Sequence, residues 1–274
     1  NYHRPKTDSS SDKAFIQATE IRHPIIESIS EKEFIRNNII LGKEGQDGIL
    51  LYGVNAGGKS TLMKSVGLNI IMAQAGLYVA SREFRYKPYT QIFTRILNND
   101  NIFKGQSSFA IEMSELRSIL TRANEKSLVL GDELCSGTEH LSATCIVSAG
   151  LRQLSELKAS FIFTSHLHQL MDIPMIRQLE NLNVYHLKIR YDEARDLLIY
   201  DRKLEEGQGD QAFSIKSHIL DQYDPDKRAV EEDFLYDLRE NIDSNYTRPR
   251  DFDRLYTPSP KAEPKHLPVM AKGG

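Results

Sequence analysis

Short unbroken apolar runs alternate along the first two thirds of the chain with stretches whose apolar residues recur three and four positions apart. Ile49-Leu50-Leu51-Tyr52 reads as a buried strand, and past a glycine-rich turn Leu62, Val66, Ile70 and Ala73 share one helical face. Ser127-Leu128-Val129-Leu130-Gly131-Asp132-Glu133 is a second apolar run, closed by two acids. A third, Ser160-Phe161-Ile162-Phe163-Thr164-Ser165, stops at His166. Met113, Leu116, Ile119 and Leu120 mark one side of a helix that follows Ser108. Helix and strand therefore alternate over residues 53–170, which predicts an α/β fold with a mostly parallel central sheet flanked by helices.

The flanks read differently. Residues 1–20 look like a polar linker or the tail of an upstream region, and residues 21–52 like strands and a connector within a folded unit that runs to 222. Val184–Ile189 and Leu197–Tyr200 alternate as a peripheral hairpin would, until Gly207-Gln208-Gly209 breaks the pattern. C-terminal helices are predicted over 211–221 and 226–243, with residues 223–245 as a separate helical segment. From 246 to 274, the prolines at 258, 260, 264 and 268 predict a disordered tail.

Composition narrows the setting. With 274 residues and 40% apolar content the chain can bury one substantial core plus appendages. Two cysteines make no disulfide framework, and Cys145 is expected to pack on the helix after the acid pair. There is no signal-like start and no apolar run long enough to cross a bilayer, so the expected setting is soluble and intracellular: cytoplasm, nucleus, organelle or viral factory. A net charge of −3 offers no broad electrostatic footprint for nucleic acid. The Asn at position 1 and the polar stretch Lys6–Asp12 suggest a fragment or an excised domain.

The strand ends carry the chemistry. Gly53-Val54-Asn55-Ala56-Gly57-Gly58-Lys59-Ser60 has the spacing of a phosphate-binding loop, set between a strand and a helix as that loop requires. Glycines let successive N–H groups turn toward phosphate oxygens, and the following helix adds the positive end of its dipole. Lys59 supplies a point charge for the β and γ phosphates, and Ser60 a hydroxyl ligand for Mg²⁺. Thr61 either joins the phosphate site or caps and packs the helix. Asp132, at the carboxyl edge of the sheet, would hold the magnesium shell, while Glu133 would orient or deprotonate an attacking water. His166 can reach a γ phosphate; with His168 it also makes a candidate metal pair, although no cysteine or acidic cluster lies nearby.

Further motifs stand in a specific order: Arg22-His23-Pro24-Ile25-Ile26-Glu27, the loop 53–60, Phe93-Thr94-Arg95-Ile96, Gly105-Gln106-Ser107-Ser108-Phe109-Ala110-Ile111-Glu112-Met113, Asp132-Glu133 and Thr164-Ser165-His166. Over roughly residues 20 to 220 this order resembles the C-terminal ATPase domain of the MutS mismatch-repair family. The resemblance implies a P-loop NTPase fold of the ABC type that uses ATP and Mg²⁺. It implies that Asn55 lies near the γ phosphate, that Phe34 stacks on adenine, and that Ser107 reaches the nucleotide of a second MutS-like subunit, identical or a paralogue. His166 matches the switch histidine. Gly53, Gly57, Gly58, Lys59, Ser60 and Thr61 complete the nucleotide contacts, with Glu133, His166 and Lys59 as the catalytic set and Ser60 and Asp132 as the metal ligands. DNA would be met through upstream regions.

The sequence departs from the family at several points. Val54 and Ala56 replace the usual proline and methionine, and Gly131 stands where a larger apolar residue is usual, a change expected to loosen the strand end. Ser136 replaces an arginine, and Ser142-Ala143 an Asp-Gly pair, in a segment that usually links the two sites. Three functions stay open on these grounds. One is an ATP-hydrolysing module that couples nucleotide state to dimer closure and DNA; another is a nucleotide-dependent dimerisation switch with negligible hydrolysis. The last is an unrelated kinase or metabolic enzyme that shares the phosphate loop.

Overall fold

A computed structural model describes residues 2–30, 33–53, 57–96, 108–135, 139–192 and 197–209. In chain order the elements are β1 (Lys6–Thr7), β2 (Phe15–Ile21), α1 (Ile26–Ile29), β3 (Asn37–Leu41), β4 (Gly48–Tyr52), α2 (Lys59–Gln74), β5 (Glu83–Lys87) and β6 (Gln91–Arg95). They continue with α3 (Ser108–Arg122), β7 (Ser127–Asp132), α4 (His140–Glu156), β8 (Ser160–Thr164), a 3-10 turn (His168–Asp172), α5 (Pro174–Arg177), β9 (Leu182–Asp192) and β10 (Leu197–Glu206). The α/β alternation read from the sequence is present.

The larger sheet runs β10-β9-β4-β8-β7-β6, with every pairing parallel except the antiparallel β10 edge. Its middle strands β4, β7 and β8 are buried along their whole length, as strands covered on both faces must be. Period-two alternation sorts their side chains. Ile49, Leu51, Leu128, Leu130 and Ile162 face one core, while Leu50, Tyr52, Val129, Phe161 and Phe163 face another beneath α3 and α4.

The first core is shared. The smaller sheet, β1-β5-β2-β3, lays Ile16, Ala18, Ile39, Leu41 and Phe84 against the same α2 that covers the larger sheet. Helix α2 is therefore packed between two sheets, and Leu62, Met63, Ser65, Val66, Asn69 and Ile70 are all buried around it. At roughly 1.5–3 kcal/mol for each large apolar side chain fully removed from water, this shared core is a principal source of cohesion.

Four expectations change. Of residues 1–20, expected to be a polar linker or the tail of an upstream region, 15–20 belong to β2, which pairs with both β3 and β5, and Ala14, Phe15 and Ile16 are completely buried. Those pairings are long-range, and the short apolar run after a polar stretch gave no local sign of them. The Val184–Ile189 arm of the hairpin is not peripheral: β9 is the parallel neighbour of β4, and β10 alone forms the edge. Cys145 lies on α4 but is exposed rather than packed. Gly131 does not loosen its strand; it is buried, keeps its pairing with Arg95 and Phe163, and leaves room for the Phe163 ring. The helices predicted over 211–221 and 226–243 and the tail lie outside the described residues. Among those that are described, no helix is long and apolar enough to cross a membrane.

A Cβ at position 131 would stand 2.8 Å from Cδ1 and Cε1 of Phe163. Gly131→Ala is therefore expected to destabilise the fold by about 1–3 kcal/mol through overpacking. The check is thermal unfolding, in which Tm falls by roughly 2–4 °C per kcal/mol for a domain of this size.

Candidate functional site

Strands β4, β7 and β8 are neighbours and parallel, so whatever follows their carboxyl ends is delivered to one edge of the sheet. After β4 the chain turns at Gly53 (φ +146°) and enters α2 through Gly58 (φ +106°), a backbone setting that suits glycine and not L side chains. Lys59 is the first residue of α2, which has no side-chain cap, so the charge and the helix N-terminus share one position. The Lys59 ammonium is only 3% exposed. It donates to the Gly53 carbonyl at 2.6 Å and lies 3.2 Å from Glu133 Oε1.

The acids sit opposite. Asp132 Oδ1 accepts hydrogen bonds from Ser60 Oγ (2.8 Å) and Thr164 Oγ1 (2.7 Å), so one carboxylate oxygen joins the ends of β7 and β8 to the first turn of α2. The next residue turns out of the strand, with Glu133 at φ +45° and its N–H donating to Thr164 Oγ1 (3.0 Å) and Thr164 O (3.2 Å). This aims the Glu133 carboxylate at Lys59 and at His166, whose Nδ1 is 3.8 Å from Oε1. The His166 ring beside it and the Lys59 ammonium outweigh the cost of burial and hold the Glu133 carboxyl down at about 2.

His166 is 7% exposed, and neither ring nitrogen has a hydrogen-bond partner among the described residues. Its loop is fixed on both sides, by the Ser165 N–H on Leu51 O (3.0 Å) and the Leu167 N–H on Ser165 Oγ (3.0 Å). A buried imidazole without a partner is costly, and it suits a site where a ligand oxygen supplies the partner. His168 does not join it. Its ring stacks on Tyr52 at 5.2 Å, and no group of three or more potential metal-ligating side chains occurs among the described residues.

Beside the helix start lies a cavity of about 210 Å³, lined among others by Phe34, Gly58, Thr61, Leu62, Leu187 and Arg202. Its far wall depends on one amide: Asn37 Nδ2 donates to Arg202 O (3.0 Å), and Asn37 Oδ1 accepts the Leu204 N–H (2.9 Å). Those bonds hold Arg202 at φ +55° where the pairing of β10 with β9 shifts register. The near wall depends on His23, whose Nδ1 accepts the Ile26 N–H at 3.2 Å and so shapes the start of α1; Ile26 and Ser30, the latter just past the helix end, line the cavity. Burial and the nearby Lys64 lower the His23 pKa, favouring the neutral ring that can accept this bond.

Gly53, Gly57, Gly58, Lys59, Ser60, Thr61, Asp132, Glu133 and His166 thus border one sheet edge, with Phe34 at the adjoining cavity. Asn55 and Ser107 lie outside the described residues, as do residues 136–138. Sequence reasoning missed Thr164 as the hydroxyl under both acids, and Asn37, Leu187 and Arg202 at the cavity. Thr164 could have been found, since it stands just before Ser165-His166; the others carry no local signal, because strand pairing from distant positions brings them in.

Comparison with known proteins gives a consistent result. The family model for MutS domain V matches residues 49–227. A mutS homolog of Acanthamoeba polyphaga mimivirus is 49% identical over 193 residues, which is 69% of this chain and 17% of that protein. The mitochondrial DNA mismatch repair protein mutS homolog of Sarcophyton glaucum is 42% identical over 214 residues, 76% of this chain and 21% of its own length. The DNA mismatch repair protein MutS of Bacillus subtilis is 31% identical over 241 residues, 87% of this chain and 27% of its own length. The chain thus spans about a sixth to a quarter of the length of these curated relatives.

One prediction follows from the Glu133 environment alone. Because its folded-state pKa lies below the ordinary 4.5, Glu133 stabilises the fold fully above that pH and loses its contribution as pH falls toward about 2. Urea unfolding of the chain and of Glu133→Gln between pH 6 and about 3 should therefore show the stability gap between them narrowing as acid is added. A gap independent of pH would mean that the carboxylate is not held by His166 and Lys59.

Proposed function

Since the chain belongs to the MutS family through that family's domain V, we propose that it is an ATPase module of the P-loop, ABC-type class, hydrolysing ATP to ADP and phosphate at the edge formed by β4, β7 and β8. The observation that carries this reading is the meeting of three side chains, each delivered from the end of a different parallel strand: Glu133 Oε1 lies 3.2 Å from Lys59 Nζ and 3.8 Å from His166 Nδ1, and neither His166 nitrogen has a hydrogen-bond partner among the described residues. The adenine lies in the cavity against Phe34, and the triphosphate runs along the first turn of α2 toward Glu133.

In this reading Lys59 exchanges the Gly53 carbonyl and Glu133 for phosphate oxygens, which are better partners for a buried ammonium. Glu133 loses one of the two groups that hold its proton off, and its carboxylate is left to orient a water and accept its proton as the water oxygen bonds to the γ phosphorus and the bond from that phosphorus to the β–γ bridging oxygen breaks, releasing ADP. His166 donates a hydrogen bond to a γ-phosphate oxygen and so registers whether that phosphate is present. The hydroxyl of Ser60 and the carboxylate of Asp132, 2.8 Å apart, are the hard oxygen donors that suit Mg²⁺, and these residues would hold it. When bound, the ion supplies charge neutralisation of the phosphates.

The wider role rests on the relatives. Proteins named for DNA mismatch repair match this chain over only part of their length, and the proposal assigns the chain their nucleotide-driven step: ATP state coupled to closure of two MutS-like subunits, with Ser107 completing the partner's site, and through that closure to DNA. Contacts to DNA are assigned to the portions of those relatives outside the matched segment, in keeping with the net charge of −3 here.

Glu133→Ala is expected to keep ATP affinity and lose turnover by roughly 10²–10⁴-fold, measured as phosphate release at saturating ATP. Loss of binding in parallel with turnover would count against the assignment, as would undiminished turnover. Undetectable hydrolysis by the parent chain despite tight ATP binding would favour the dimerisation switch instead. Chelating Mg²⁺ should abolish phosphate release and restore it on readdition. Specific activity should also rise with protein concentration if Ser107 acts across a dimer.

A further inference from the structure

Among the buried carboxylates that the hydrolysis reading leaves without a task is one that reaches the turn after the acid pair. Glu112, on α3, is 7% exposed, and its Oε1 accepts the N–H of Cys135 at 2.9 Å. Cys135 is two residues beyond Glu133, and the turn between strand and site is strained at both: Glu133 has φ +45° and Cys135 φ +62°. Left-handed backbone at non-glycine residues persists only where the surroundings hold it. Here it is held from two directions. Thr164 of β8 takes the Glu133 N–H, and Glu112 of α3 takes the Cys135 N–H.

The clasp is itself supported. Arg95, the last residue of β6, has Nε 2.9 Å from Glu115 Oε2 and 4.0 Å from Glu112 Oε1, so a cation stands beside the buried carboxylate. Cys135 lies against Glu112 as a neutral thiol, its ionisation pushed up to about 12 by burial and by the Glu112 charge. Two of the sequence motifs, Phe93–Ile96 and the stretch ending Ile111-Glu112-Met113, thereby meet behind the acid pair.

We propose that Glu112 is a positioning residue for Glu133: by capturing the Cys135 N–H it locks the left-handed turn that aims the Glu133 carboxylate at Lys59 and His166. This rests on the hydrolysis reading, since it assigns Glu112 to that same step. In this role Glu112 acts through the Cys135 amide and not on the reacting groups. Its effect is to fix where the Glu133 carboxylate stands when the water arrives, so its loss lowers turnover at saturating ATP and spares affinity. Arg95 sets a cation beside that carboxylate, with Nε 4.0 Å from Glu112 Oε1.

The test uses the full chain with Glu112→Ala and Glu112→Gln, reading phosphate release at saturating ATP, equilibrium affinity for a non-hydrolysable ATP analogue, and hydrogen exchange at the Cys135 amide without nucleotide. Gln keeps a carbonyl oxygen that can accept the N–H, while Ala leaves the buried donor bare. The expected result is that Ala slows turnover by about 10- to 100-fold with affinity little changed, and that Gln restores most of it. Exchange at Cys135 should speed up in Ala and stay near the parent rate in Gln. Parent-like turnover in Ala, loss of affinity in step with turnover, or equal damage by Gln and Ala would overturn the proposal. A parent chain that releases no phosphate overturns the hydrolysis reading and with it the positioning role. Cys135 exchange then decides whether the clasp alone stands, unchanged exchange in Ala removing that as well.

Discussion

A lysine ammonium withdrawn from water must be neutralised, and the site is organised around the demand made by Lys59. Stripping one partner from a buried ion pair costs on the order of 3–5 kcal/mol, so the fold cannot leave this charge alone. The Gly53 carbonyl and Glu133 meet it. Meeting it fixes much else: the glycine turn that brings the carbonyl round, the left-handed backbone at Glu133, and the closeness of β7 to the start of α2. In the proposed reading a triphosphate competes for the same ammonium, and the contact between Lys59 and Glu133 is the one that nucleotide must undo.

Thr164 shows how few atoms carry the arrangement. One hydroxyl donates to Asp132 and accepts from the Glu133 N–H, so the two acids stand in fixed relation to each other and to β8. Asp132 in turn takes the Ser60 hydroxyl. Chains of bonds in a poorly solvated place reinforce one another, which makes the edge stiff where the chemistry needs it. His166 is the exception, buried with neither nitrogen claimed by a hydrogen bond among the described residues.

How much of this was readable beforehand depended on whether a residue's role is local or arrives from afar. The three middle strands, α2 and the faces of α2 and α3 were legible because buried parallel strands are continuous apolar runs and packed helices repeat at their own period. The common location of Lys59, Ser60, Asp132, Glu133 and His166 was legible because sheet topology delivers strand ends to one edge, so that spacing and order suffice to bring them together. The smaller sheet was not legible, since Phe15–Ile21 is short, follows a polar stretch and pairs with partners far along the chain. Gly131 was misread for a related reason: the ring that needs its missing Cβ belongs to the neighbouring strand. Arg202 and Asn37 escaped because their meeting depends on a register shift between β9 and β10.

The placement of α2 between two sheets has a thermodynamic consequence. A helix that supplies one wall of each sheet's core cannot detach without exposing both, so the start of that helix belongs to the most cooperative part of the molecule. A ligand that grips Lys59 and Ser60 therefore draws on the stability of the whole fold, not on that of a surface loop. Its binding energy is shared by the smaller sheet, which contributes no strand to the edge where it sits.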